Sequence, residues 1–270
     1  MPELPEVESF SQAIGREFAG KKIRKVKFHR ADLRFPFDQP TLLKIFAPGA
    51  TFLFPCRIAK QLVLRTDQGL VAVSLGMSGS FLPSSYPKRL LHEHVTILFD
   101  DDTALGFVDP RRFGFWKPIQ SYDEVSVAAD PLQVESLLKA FESRSFRHSQ
   151  RSIKDALMDQ ALIGGLGNIY ALECLFRVGV SPLRKCNRVK KAEYAHLAKI
   201  VPPMLLQAID AGGSTVSTYR RLHGDAGGFQ ELHLVYDREN DSCLNSKCNG
   251  IIKRVAQSGR SSWWCPRCQK

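Results

Sequence analysis

Apolar residues at Val7, Phe10, Ile14 and Phe18 recur at helical spacing, so residues 3–18 are predicted to form an amphipathic helix that Gly20 closes. From about residue 22 to 117 the period changes. Short apolar alternations at 23–28, 61–64, 70–73 and 95–99 are separated by turn residues, with hairpin turns expected at Asp67-Gln68-Gly69 and Asp100-Asp101-Asp102. Several short strands at this spacing predict a β-sandwich or barrel. From Asp130 the helical period returns, near 132–143, 153–160, 168–177 and 189–211. A Gly-rich loop (Gly212-Gly213, Gly224, Gly227-Gly228) and a cysteine-rich hairpin follow. The change of period puts a domain boundary near 120–130, and neither an internal repeat nor a low-complexity tract is evident.

Composition narrows the class. A chain of 270 residues suits two domains, and 44% hydrophobic residues is ordinary for a folded soluble protein. No apolar run reaches membrane-spanning length, and the acidic N-terminal stretch lacks the basic and apolar regions of a signal peptide. The expected location is therefore the cytoplasm, in a bacterium the compartment that holds the nucleoid. Lys and Arg outnumber Asp and Glu by 38 to 27, a net charge of +11. That surplus suits a polyanion, most commonly nucleic acid, although ribosomal and membrane-surface proteins share it.

Seven cysteines in a reducing compartment point to metal or free thiols rather than disulfides. Cys56, Cys174 and Cys186 are scattered and read as small buried hydrophobes. Cys243, Cys248, Cys265 and Cys268 form two knuckle pairs, C-x4-C and C-x2-C, the arrangement a tetrahedral Zn²⁺ site in a β-hairpin needs. One structural zinc ion is expected. The first pair is spaced more loosely than usual. Between the pairs lie Lys253, Arg254, Arg260 and Ser261, so the finger is expected to carry cationic side chains to a phosphate.

The other end of the chain carries candidate chemistry. Once Met1 is removed, Pro2 becomes a free secondary amine, able to attack an aldehyde-like carbon and form an iminium. Such an iminium has no N–H to lose and remains an electron sink. An α-amino group titrates near ~7.7–8.0, leaving a useful fraction unprotonated at neutral pH. Two blander roles compete. Pro2 and Pro5 could only stiffen the start of the helix, and Glu3 and Glu6 could be first-turn carboxylates stabilised by its dipole.

Several motifs together resemble the bacterial formamidopyrimidine-DNA glycosylases of the Fpg/endonuclease VIII family. They are Pro2-Glu3-Leu4-Pro5-Glu6-Val7-Glu8, Leu75-Gly76-Met77-Ser78-Gly79, Asp109-Pro110-Arg111-Arg112-Phe113-Gly114, Leu157-Met158-Asp159-Gln160, Gly165-Leu166-Gly167-Asn168-Ile169-Tyr170 and Gly259-Arg260-Ser261 before the last cysteine pair. They run the length of the chain in the family's order. The resemblance implies an α+β fold: an N-terminal helix and β-sandwich catalytic domain (1–122), a helix–two-turn–helix DNA-binding domain (130–232) and a zinc-binding hairpin (233–270). It also implies a monomer that binds double-stranded DNA containing oxidised bases or abasic sites, with the duplex in the cleft between the halves.

The implied activity is that of a bifunctional glycosylase and AP lyase in base excision repair. Pro2 would attack C1′ of the damaged nucleotide. Glu3 would protonate the sugar ring oxygen, which requires a desolvated site that raises its pKa. Glu6 would order water or the amine. Lys60 would serve β-elimination, and Arg260 δ-elimination beside the phosphates. Met77, Arg111 and Phe113 would fill the space left by the flipped nucleotide. His92, Lys154, Asn168 and Arg151, with Arg147 nearby, would hold the backbone. Oxidised purines are the expected lesions, because Leu4 and the Arg111/Phe113 wedge match this family rather than its relative endonuclease VIII. The alternatives are a preference for oxidised pyrimidines and a zinc-dependent damage binder without catalysis. Three departures bear on this. Ser74 stands where a His is usual, and Ser217 and Thr218 stand where a basic residue and an Asp are more frequent, in the loop expected to cover the flipped base.

Overall fold

The computed structural model describes residues 2–125, 129–215 and 222–270. The chain divides into two compact units, Met1–Ser126 with Ala211–Gly228, and Val127–Asp210 with Phe229–Lys270. The stretch 211–228, placed by the sequence reading within 130–232, groups with the first unit because Ser214 and Leu222 are bound into that unit.

In the first unit, α1 (Leu4–Phe18) buries Leu4, Val7, Phe10, Ile14 and Phe18 along one face, as its spacing predicts. Glu3 is its N-cap, and the Glu6 carboxylate accepts the Glu3 backbone N–H at 2.7 Å in a capping box. Then follow β1 (Ile23–Phe28), α2 (Gln39–Ile45), β2 (Phe52–Ile58), β3 (Gln61–Thr66), β4 (Gly69–Ser74), β5 (Ser80–Ser84), β6 (Glu93–Phe99), β7 (Ala104–Val108) and β8 (Phe115–Ile119). Among the described residues these strands form two antiparallel sheets, ordered β1-β6-β7-β5 and β2-β3-β4-β8. Both contribute to one core with α1, where Phe81 lies against Phe10, Phe107 and Trp116 with ring centroids 5.1–6.4 Å apart.

Both expected hairpin turns are present. Thr66 pairs with Gly69 across Asp67-Gln68, and Asp102 takes a left-handed φ of 64° between β6 and β7. Sequence periodicity did not reveal α2. It is too short to show a period, burying only Leu42 and Ile45, and it depends on Asp38 accepting the Thr41 N–H at 3.2 Å.

The second unit holds α3 (Val134–Glu142), α4 (Arg144–Arg147), α5 (Ile153–Leu157), α6 (Asn168–Val178), α7 (Lys191–Asp210) and the hairpin β9 (Lys253–Gln257)–β10 (Arg260–Trp264). The helix expected over 153–160 stops at Leu157. Beyond it, the Gln160 amide bonds Met158 O and Leu166 O, both at 2.8 Å, holding that segment in a loop. Buried Glu173 on α6 accepts the N–H groups of Leu234, Val235 and Tyr236 at 3.0 Å and pairs with Arg177 at 2.7 Å. Leu172 and Phe176 of α6 then pack with Val235, Ile252 and Trp263, seating the hairpin on that helix. No described helix is long and apolar enough to cross a membrane.

Candidate functional site

Pro2, Glu3 and Glu6 are all buried at the start of α1. Glu6 acts as a clasp. Its Oε2 accepts the Glu3 N–H, and its Oε1 accepts the Ser214 N–H at 2.8 Å. The contact requires glycine at 213, where a Cβ would stand 2.7 Å from Glu6 Oε1 and φ is 78°. The first turn of α1 is thereby joined to the base of the Gly-rich loop. Ser217 and Thr218 of that loop lie outside the described residues, as does Met1.

Lys60 is half-buried in the tight turn between β2 and β3. The turn is fastened to α1 through Arg57, whose Nε donates to Glu8 Oε2 at 2.9 Å and whose Nη1 donates to Ala59 O at 3.3 Å. Ala59 itself adopts a φ of 52°.

Met77 and Phe113 are each 43% exposed, unlike the core residues their types suggest. The Arg111 guanidinium stacks 4.8 Å from the Phe113 ring centroid, within cation–π range. The loops carrying them touch backbone to backbone. At Gly76 (φ 58°) a Cβ would meet the Phe113 carbonyl carbon at 2.5 Å. Ser74 shapes this loop, its hydroxyl accepting the Gly76 N–H at 3.3 Å. His92 is exposed just before β6, with a φ of 60°.

In the second unit the β9–β10 turn, Ser258-Gly259, has positive φ at both positions, the geometry favoured by two-residue hairpins. The turn presents exposed Arg260. Gln257 Nε2 donates to Ser152 Oγ at 2.7 Å and Ser258 Oγ to Asp155 Oδ2 at 2.8 Å, tying the hairpin to α5. Lys154 is fully buried, in contrast to an ordinary surface cation, and its Nζ donates to Ser262 Oγ at 2.6 Å and Ser261 O at 3.4 Å. Desolvation pushes its pKa down to about 8, partly opposed by Asp155 and reinforced by Arg260. Asn168, first residue of α6, donates its amide to Ser261 O at 3.0 Å, and its buried Oδ1 has no hydrogen-bond partner among the described residues. Arg151, Lys154 and Arg260 line one cleft with Asp155 and Asp159, and Arg151 pairs with Asp159 at 2.8 Å. The sequence reading noted Ser261 only beside Arg260 and assigned no role to Gln257 or Ser262, yet all three hold this group together.

The four terminal cysteines converge. Their sulfurs all lie within 4.8 Å of one another, with Cys243–Cys268 at 3.6 Å and Cys248–Cys265 at 3.8 Å. A tetrahedron with ~2.3 Å metal–sulfur bonds has edges of about 3.8 Å, so the set fits one structural Zn²⁺ despite the loose first pair. Gly250 N–H and the Asn245 amide point at Cys248 Sγ and Cys268 Sγ, at 3.3 and 3.4 Å, where they would stabilise thiolate charge.

Three family descriptions match successive parts of the chain: the formamidopyrimidine-DNA glycosylase N-terminal domain over residues 1–116, the formamidopyrimidine-DNA glycosylase H2TH domain over 127–220, and the zinc finger found in FPG and IleRS over 246–270. The formamidopyrimidine-DNA glycosylases of Gluconobacter oxydans and Neisseria meningitidis are 39% and 38% identical, with both chains fully covered. Among solved structures, Fpg from Thermus thermophilus superposes with a TM-score of 0.84 at 33% identity, covering 99% of this chain and 98% of that one. A Lactococcus lactis Fpg mutant in complex with Fapy-dG-containing DNA gives 0.86 at 29% identity, with full coverage of both.

Proposed function

The chain belongs to the formamidopyrimidine-DNA glycosylase family, and from that premise we propose that it excises oxidised purines from duplex DNA and then cuts the strand at the resulting abasic site. Relatives bearing this name and structures of relatives bound to lesion-containing or abasic DNA support the reading. The observation that carries it in this chain is the buried start of α1, where Pro2 and Glu3 share a site organised by Glu6.

With Met1 removed, the Pro2 nitrogen attacks C1′ of the flipped nucleotide as the bond to the base breaks, the amine giving up its proton while the base takes one up. The resulting aminal becomes the protein–sugar iminium when the bond from C1′ to the ring oxygen breaks. Glu3 delivers a proton to the ring oxygen as the sugar opens. Lys60 then assists β-elimination, and Arg260 stabilises charge on the departing phosphates. Met77, Arg111 and Phe113 occupy the vacated stack, their exposure matching that task. His92, Arg151, Lys154 and Asn168 hold the backbone. The zinc keeps the hairpin folded and takes no part in bond changes. The protein acts as a monomer in the bacterial cytoplasm, where its substrate lies.

Borohydride reduction during reaction with an 8-oxoguanine duplex tests this. The expected product is protein joined to DNA through Pro2, as read by peptide mass, with Pro2→Gly trapped more slowly through its primary amine. Absence of any adduct from active-lesion DNA, or an active preparation retaining Met1, contradicts the mechanism. Faster cleavage of thymine glycol than of 8-oxoguanine would reassign the lesion class.

A further inference from the structure

Asp109 follows β7 and is 0% exposed, yet it forms no ion pair among the described residues. A buried carboxylate without a cation is stabilised only by well-aligned donors. Here the donors come from the loops that carry the proposed void-filling side chains. Oδ1 accepts the Ser78 hydroxyl at 2.5 Å, and Oδ2 accepts the Gly114 N–H at 2.8 Å. Ser78 Oγ in turn accepts the Arg111 N–H at 3.1 Å. The Asp109 backbone adds His94 Nε2 bound to its carbonyl at 2.8 Å and its own N–H donated to His92 O at 3.1 Å. One residue thus ties together the segments bearing Met77, Arg111, Phe113 and His92.

We propose that Asp109 is a positioning residue for lesion extrusion, holding the Met77 loop and the Arg111–Phe113 loop in the register that lets them enter the duplex together. This rests on the damaged-DNA reading above. Asp109 touches none of the reacting atoms and acts through Ser78 and Gly114. Its loss should therefore impair only steps in which a base pair is opened. A single-stranded oligonucleotide carrying an abasic site has neither an opposing base nor a stack to fill, and the Pro2 chemistry on it should be spared.

Borohydride trapping is measured for wild type, Asp109→Ala, Asp109→Asn and Ser78→Ala, on an 8-oxoguanine duplex and on a single-stranded abasic oligonucleotide. The expected result for Asp109→Ala is a fall of about tenfold or more on the duplex, with trapping on the single strand within about twofold of wild type. That tenfold corresponds to roughly 1.4 kcal/mol. Asp109→Asn should recover most of the duplex rate. Its oxygen still accepts from Gly114, and its amide donates to Ser78 Oγ, which has a second lone pair. Ser78→Ala, which leaves Asp109 and the rest of its bonds in place, should show the same selective deficit at smaller size. An equal fall on both substrates, or wild-type duplex rates in both Asp109→Ala and Ser78→Ala, overturns the assignment while leaving the enzymatic reading intact. Failure of wild type on both substrates overturns the enzymatic reading, and this one with it.

Discussion

Removing zinc should unfold the terminal hairpin and leave the rest of the protein standing. Fixing a backbone costs about 1–2 kcal/mol per residue, so ordering residues 252–264 costs on the order of 13–26 kcal/mol. Against this the hairpin buries two large apolar groups, Ile252 (0% exposed) and Trp263 (8%), each contributing about 1.5–3 kcal/mol. Apolar burial alone therefore falls well short of the ordering cost, and structural zinc, which supplies ~10–16 kcal/mol in finger peptides, is what makes up the difference. The assay is built into the chain, because two of its three tryptophans, Trp263 and Trp264, lie on β10 while Trp116 is buried in the first unit. Chelation under reducing conditions, or Cys243→Ser, should red-shift most of the tryptophan emission and erase hydrogen-exchange protection over Lys253–Trp264. Protection in α1 and β6 should persist. A metal-free protein that retained blue-shifted emission and protected hairpin amides would refute the reasoning, showing that the Leu172–Phe176 platform suffices to fold it.

Lys154, with its pKa lowered to about 8 by desolvation, gives a pH signature for DNA binding. In the proposed role of Lys154 on the DNA backbone the protonated form is the one that grips phosphate, so affinity for abasic-analogue duplex at fixed ionic strength should fall as pH rises through about 8, and Lys154→Met should flatten that dependence. The linked stability has the opposite sense. The unfolded lysine holds its proton up to ~10.4, so the burial penalty is fully present below about 8 and is relieved as pH rises from there toward that value, which pH-dependent denaturation would read. Glu6→Ala removes the acceptor of two buried N–H groups, at Glu3 and Ser214, and should cost about 1–3 kcal/mol for each. Faster exchange of the Ser214 amide would report it, and an unchanged melting temperature would count against the clasp. Gly76→Ala places a methyl 2.5 Å from the Phe113 carbonyl at a φ of 58°, so duplex cleavage should fall with a strain of about 1–3 kcal/mol in thermal unfolding.

The parts of this protein that could be read from its sequence are those whose signal is local. Helix α1 was visible because four apolar residues keep helical spacing, and the zinc ligands because a knuckle pair is itself a short-range pattern. The hairpin turn at 67–68 was visible for the same reason. What stayed hidden depends on partners distant in the chain. Lys154 looks like a surface cation until Ser262, separated by 108 positions, closes over it. Asp109 stands in the Asp-Pro-Arg-Arg-Phe-Gly motif, yet its proposed positioning role depends on Ser78, 31 positions earlier. Ser74 showed in the sequence only as a departure from a usual His, whereas its hydroxyl closes the turn that leads to Met77. Residue type alone would put Met77 and Phe113 in the core; their Gly-flanked loops and the family resemblance pointed outward, and the backbone contact at Gly76 shows how they are displayed.

The cationic group of the second unit shows why those distant contacts matter for binding. A long side chain that must be ordered on association costs about 0.5–1.5 kcal/mol, and a phosphate site built from loose lysines and arginines would incur that several times. Here most of the ordering has already occurred. Lys154 is fixed by Ser262, Arg151 by Asp159, and Asn168 by Ser261. Exposed Arg260 pairs with no carboxylate among the described residues, so its charge remains available to a phosphate. Gln257 and Ser258 hold the hairpin that carries Arg260 and positions Lys154 and Asn168, although neither carries a charge. Changes at such neutral tethers should therefore weaken binding by loosening several cations at once. On the proposed binding roles, affinity in this unit is a property of the zinc-held scaffold as much as of the charges it displays.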